Sequence, residues 1–143
     1  VLTMFLALNA SVELYKGGVV PLAEYAQRPY DRDILVRVLV PKENARFVYQ
    51  SVRNSQTDFP VLTCAAAKLA DGSIRAAIGA RPGKAVLYTA APEAGETAEE
   101  FAARFAAEVK ADIKTESDLR GGAEYRRHLA GVLTKRAVCR LEG

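Results

Sequence analysis

The chain has 143 residues, half of them hydrophobic and 26% charged, with a formal net charge of +3. That length and apolar share suffice for one buried core, or for one domain and a fragment of another. Acids and bases are interspersed along most of the sequence, which argues against the concentrated basic face that nucleic acid requires.

Residues 1–8 are apolar but too short to span a membrane, and they lack the basic start of a signal peptide. With no initiator Met and no cap before it, this segment reads as cut from a longer polypeptide. It is expected to pack against upstream sequence and, alone, to leave an apolar patch that promotes association. Residues 10–15 alternate as a strand, and Lys16-Gly17-Gly18 forms a turn. Pro21 opens a short helix over 21–26. Residues 34–40 form a β-branched strand stopped by Pro41. The charged run Lys42-Glu43-Asn44-Ala45-Arg46 is the candidate domain boundary.

A second block follows. Strands are expected at 47–52, 60–68, 73–79 and 84–88, with Asp71-Gly72 as a hairpin turn. Together they predict an antiparallel sheet of three or four strands. The last block is helical. Thr97-Ala98-Glu99-Glu100 fits a capping box, and Phe101, Phe105 and Val109 then recur at i, i+4 and i+8 to lay an aromatic stripe on the sheet. Residues 112–119 are read as a short connecting helix or turn. After Gly121-Gly122, which suggest a backbone turn or a close approach, an amphipathic helix runs almost to the C-terminus. Tyr125, Leu129, Val132, Leu133, Arg136, Ala137 and Leu141 fall on or beside one face, while Arg126, Arg127, Lys135 and Arg140 decorate the rest. A sheet followed by helices is an α+β arrangement.

Chemistry carried by the chain alone is sparse. The single histidine, His128, is read as a solvated helix side chain, because no second histidine or neighbouring cysteine gives it a partner. Cys64, inside an apolar strand, is read as a buried small hydrophobe, and Cys139 likewise. With no C-x-x-C spacing the two cysteines indicate neither a disulfide framework nor a zinc knuckle. A reducing, cytoplasmic setting is the default. Glu99 and Glu100 are explained by the helix dipole, and Glu13, Glu24 and Asp31 show no paired spacing. No metal-ligand cluster is visible. The polar loop Arg53-Asn54-Ser55-Gln56-Thr57-Asp58-Phe59-Pro60 stands apart, since it can hold hydrogen-bond donors at the end of two apolar strands.

The string Arg120-Gly121-Gly122-Ala123-Glu124-Tyr125-Arg126-Arg127-His128-Leu129 resembles the signature opening the last helix in FAD-binding subunits of molybdenum hydroxylases, the xanthine dehydrogenase and carbon monoxide dehydrogenase family. There the pattern reads roughly R-G-S/G-x-E-Y/F-R-R-x-L. The resemblance implies that residues 1–41 are the end of a PCMH-type α+β FAD-binding domain and that residues 46–143 are the C-terminal flavoprotein domain. It implies an oxidoreductase subunit that relays electrons from [2Fe–2S] clusters through FAD to an acceptor such as NAD. Its partners would be a molybdopterin-containing large subunit, a [2Fe–2S] small subunit and the upstream FAD-binding half. Arg53 and Asp58 match positions near the flavin ring, with Pro60 where Ala is commoner. Leu35 matches a position whose side chain packs on the isoalloxazine. Two departures stand out. The loop Arg28-Pro29-Tyr30-Asp31-Arg32 is shorter than in most relatives, although Tyr30 could still stack on a ring. The Gly-rich phosphate loops are missing, and neither Gly17-Gly18 nor Gly79-Ala80-Arg81-Pro82-Gly83 replaces them, so this segment alone should hold FAD weakly or not at all. The alternative is a cofactor-free α+β interaction or scaffold domain.

Overall fold

A computed structural model of the chain describes residues 1–30, 32–42 and 45–143. Its elements run α1 (Leu2–Ala7), β1 (Ser11–Leu14), β2 (Gly18–Pro21), α2 (Leu22–Tyr25), β3 (Leu35–Leu39), β4 (Arg46–Val52), β5 (Leu62–Lys68), β6 (Ile74–Gly79), β7 (Val86–Ala90), α3 (Ala98–Asp112) and α4 (Ala123–Glu142). They form a three-stranded sheet in the order β2-β1-β3 and a four-stranded sheet in the order β4-β5-β6-β7. Every pairing is antiparallel. The expected α+β class and the sheet-then-helices arrangement are present. Two members of the charged run, Glu43 and Asn44, and also Asp31, lie outside the described residues.

The central strands of the larger sheet, β5 and β6, are buried on both faces, and their period-two pleat sends alternate residues to two cores. Leu62, Cys64, Ala66, Ile74, Ala76 and Ile78 share one core with Phe101, Phe105, Val109 and Leu133 from α3 and α4. The alternate residues Ala65 and Ala77 join a second core with Leu6, Ala7, Val12 and Leu14. Large side chains face the helices and small ones face α1, so the short helix can sit close to the strands. The tightest point is Gly79, where a Cβ would overlap Thr3 Oγ1 and sit 2.8 Å from Thr63 Oγ1. Those two hydroxyls are themselves hydrogen-bonded at 3.1 Å. The segment expected to pack on upstream sequence therefore buries Leu6 and Ala7 within this chain, while Val1 remains 86% exposed. The opposite situation holds on β3. All five of its residues are exposed, and it is an edge of the smaller sheet.

In α3 the capping box is complete. Thr97 Oγ1 accepts from the Glu100 amide, and the Glu100 carboxylate accepts from the Thr97 amide at 2.8 Å. Phe101 and Phe105 are buried with ring centroids 5.9 Å apart, and α3 lies mainly along α4. Residues 113–121 form no helix. They run extended to a bridge between Asp118 and Gly121. Side chains here take the backbone partners that a helix would need: Thr115 Oγ1 donates to the Ala123 carbonyl at 2.8 Å, and the Ala123 amide donates to Ser117 Oγ at 2.9 Å.

Two expectations about α4 are corrected. Arg126, expected on the polar side, is among the most buried residues of the molecule, and Tyr125 and Arg136 are exposed instead. The buried stripe runs Arg126, Leu129, Ala130, Leu133, Ala137 and Leu141, one step round from the expected one. Cys139, expected to be buried, is exposed, since it lies on the opposite side from that stripe. Cys64 is buried as expected, and burial pushes its thiol up to about 12. His128 is exposed. No helix among the described residues is long and apolar enough to cross a membrane.

Gly79→Ala should destabilise the fold by about 1–3 kcal/mol, because the new methyl forces α1 off the sheet. Adding Thr3→Ala should recover part of the loss. Denaturant unfolding of both variants measures this, and equal midpoints for wild type and Gly79→Ala would contradict the close approach.

Candidate cofactor-facing cleft

Where α1, the β4–β5 loop and the β6–β7 loop meet, they enclose an open cleft of about 520 Å³. Its lining includes Thr3, Tyr49, Arg53, Phe59, Ala80 and Lys84. Arg53 and Lys84 are cations, and among the described residues no carboxylate lines the cleft. An anionic or electron-rich guest is favoured by such a wall. Arg53 Nη1 donates to the Asp58 carbonyl, and Lys84 Nζ donates to the Arg28 carbonyl at 3.0 Å.

The β6–β7 loop is held in an uncommon backbone conformation, with Ala80 at φ +60 and Gly83 at φ +123. For alanine, that left-handed region costs roughly 1–2 kcal/mol. Arg81 compensates by fastening the loop. Its Nε donates to the Lys84 carbonyl at 2.7 Å, its Nη1 to the Lys114 carbonyl at 2.6 Å, and its own carbonyl accepts from the Glu116 amide at 3.0 Å.

The β4–β5 loop is fastened from the other side by the segment before α4. Asp58 Oδ1 accepts from the Phe59 amide at 2.6 Å and from Arg120 Nε at 3.1 Å. Asn54 Nδ2 donates to the Arg120 carbonyl at 2.9 Å. The Arg120 guanidinium lies over the Phe59 ring, 5.2 Å from its centroid. Behind this, Arg126 donates to four acceptors: the Val61 carbonyl at 2.9 Å, the Glu116 carbonyl at 2.7 Å, the Gly121 carbonyl at 2.8 Å and Asp118 Oδ1 at 2.6 Å. Gly121 passes so near Val61 that a Cβ would be 3.0 Å from its Cγ1, which explains one of the paired glycines.

Residues 47–141 match the model of the CO dehydrogenase flavoprotein C-terminal domain. The chain belongs to that family. Its fold is that of three solved structures. Quinoline 2-oxidoreductase from Pseudomonas putida 86 is 19% identical, with a TM-score of 0.77 over 99% of this chain. Carbon monoxide dehydrogenase from Hydrogenophaga pseudoflava, in a form lacking the Mo-pyranopterin moiety, is 23% identical, with a TM-score of 0.78 over 98%. Reconstituted CO dehydrogenase from Oligotropha carboxidovorans is 21% identical, with a TM-score of 0.78 over 99%. In each case the chain spans 55% of the matched structure's length. No curated protein matches the sequence.

Within this flavoprotein-domain fold, Arg53 and Asp58 come together on the β4–β5 loop. Leu35 does not join them. It lies on β3 opposite Leu14, 44% exposed, outside the cleft lining. Tyr30 is 90% exposed and lines a neighbouring hollow of about 330 Å³ that shares Leu2 and Lys84 with the cleft. The sequence assigned no site role to Phe59, Lys84, Arg120 or Arg126, although Phe59 lies in the polar loop and both arginines in the signature string. For Arg126 a signal existed, since it precedes Ala130, Leu133 and Ala137 at i+4, i+7 and i+11.

The Arg126 guanidinium hydrogen bond is the chief influence holding the Asp118 carboxyl below its usual value of 3.8. A lowered folded value means that the ionised carboxylate contributes stability above the unfolded value, and that this is lost as pH falls through the folded one. Asp118→Asn should therefore melt below wild type at neutral pH, with the gap closing only below 3.8. A gap that persists unchanged into strong acid would show that the carboxylate charge is not what Arg126 uses. Arg126→Met should cost about 3 kcal/mol or more, because it leaves the acceptors of a buried cation unpaired.

Proposed function

We propose that the chain is part of an FAD-binding electron-transfer subunit of a molybdenum hydroxylase, and that the cleft beside Arg53 faces the flavin ring. The observation that carries this reading is the wall formed by Arg53, Lys84 and the exposed Phe59 in a chain of the flavoprotein-domain family. FAD fits this wall at one end only. A flat aromatic ring can lie against Phe59 and Tyr49, and the two cations favour electron density on it. The pyrophosphate has no counterpart among the described residues, where no Gly-rich turn leads into a helix N-terminus at the cleft.

When bound, FAD supplies the exchange of electrons between [2Fe–2S] clusters and an external acceptor such as NAD. The chain's own residues orient the ring and tune it. Arg53 is the tuning cation and Asp58 shapes the loop that carries it, whereas Leu35, exposed on the smaller sheet and outside the cleft, has no part in this arrangement of the ring. The partners are a molybdopterin-containing large subunit, a [2Fe–2S] small subunit and an upstream FAD-binding half. Two facts support the last. The matched structures are nearly twice as long as this chain, and β3 offers an apolar, exposed edge that proteins ordinarily cover. The substrate is hydroxylated at the molybdenum centre of another chain, in the cytoplasm.

The test is Arg53→Ala in the full native polypeptide, with bound FAD and its reduction potential as readouts. A nearby cation stabilises the reduced, anionic flavin, so its loss should lower the potential, on the order of 30 mV for a tenfold effect on a two-electron couple. FAD affinity should fall with it. Both values unchanged would remove Arg53 from the site, and a native polypeptide without flavin would remove the whole reading.

A further inference from the structure

Phe59 is 75% exposed, an unusual state for a phenylalanine on a loop that is otherwise well pinned. Its backbone is held: the amide donates to Asp58 Oδ1 at 2.6 Å, and the loop closes where the Val61 amide donates to the Val52 carbonyl at 2.7 Å. Its ring is covered on one side by the Arg120 guanidinium, and it also lines the cleft.

Arg120 does more than cover the ring. Its Nε holds Asp58 Oδ1, and its carbonyl receives Asn54 Nδ2. Three contacts from one residue therefore land on residues 54, 58 and 59 of the same loop. Arg120 is itself fixed, because its amide donates to Asp118 Oδ1 at 2.7 Å, the same oxygen that Arg126 grips. A rigid frame thus runs from the buried Arg126 through Asp118 and Arg120 to the loop.

We propose that Arg120 is a positioning residue for the flavin. It clamps the β4–β5 loop from behind and presents the Phe59 ring and Arg53 to the cofactor without touching the cofactor. The inference rests on the flavin reading above. The physical gain is preorganisation: a ring already held by a guanidinium needs less ordering when a flat ligand arrives. Lysine at this position could keep the ion pair with Asp58, but it could not keep the flat stack on Phe59.

The experiment is FAD titration of the full native polypeptide by flavin fluorescence, alongside amide hydrogen exchange. Arg120→Ala should weaken FAD binding about tenfold and speed exchange in residues 54–60, while exchange in β5 stays as in wild type. Unchanged β5 exchange separates this from misfolding. Phe59→Leu should weaken FAD similarly, and the double variant should be little worse than either single one, because the two residues act as a unit. Arg120→Lys should restore the loop's exchange more fully than its FAD affinity. Wild-type affinity in Arg120→Ala, or single effects that simply multiply in the double variant, would overturn the proposal while leaving the flavin reading intact. A wild-type polypeptide that takes up no FAD would overturn both.

Discussion

The Arg126 guanidinium is where the ends of this fold are tied together. A charge this deeply buried is tolerated only when hydrogen bonds replace its water, and here three carbonyls and one carboxylate do so. Each acceptor comes from a different place: the start of β5, the extended connection, the turn before α4 and the Asp118 side chain. Satisfying one cation therefore fixes where α4 begins and how close it lies to β5. The glycine at 121 follows from that closeness, and so does the position of Arg120 beside the β4–β5 loop.

A second constraint comes from the sheet. Because β5 and β6 are buried on both faces, their sequences cannot alternate apolar with polar in the manner of a half-exposed strand. They are built mainly from aliphatic and small residues on both faces instead. Ile74, Ala76 and Ile78 meet the helices, while Ala77 and Gly79 meet α1. This places α1 across the central strands, where Thr3 becomes one wall of the cleft. The cleft is thus a consequence of layer packing: a short helix on small residues leaves a hollow where two loops rise past its end.

Much of this could be read from the sequence, and the reasons are local. The four strands, the capping box at Thr97 and the Phe101, Phe105, Val109 stripe depend on periodicity and on neighbours a few residues away. Arg126, Cys139 and residues 113–121 depend on tertiary partners. A pattern that sorts arginine to the polar face has no means of seeing three carbonyls waiting inside, and the one-step rotation of α4 that buries Arg126 is the same rotation that exposes Cys139. At the cleft, the polar loop 53–60 stood out by composition, but its attachment to Arg120 spans more than sixty positions of chain. Lys84 and Ala80 reach the cleft only because Arg81 folds their loop against residues 114–116.

The charges at the cleft give its chemical character a direction. Acidic residues are common in this chain, yet two that lie near the site among the described residues are engaged by backbone or arginine: Asp58 by Arg120 and the Phe59 amide, Asp118 by Arg126 and the turn. Arg53 and Lys84 meanwhile use one donor each on carbonyls, and a guanidinium or ammonium has further donors left for a guest. Among the described residues the wall therefore carries positive charge beside an exposed aromatic ring, which suits an anionic or electron-rich guest with a flat face. A phosphate would need several backbone amides aimed at one point. The β6–β7 loop is fastened through carbonyls, those of Arg81 and Lys84, together with the Lys114 carbonyl and the Glu116 amide beside it.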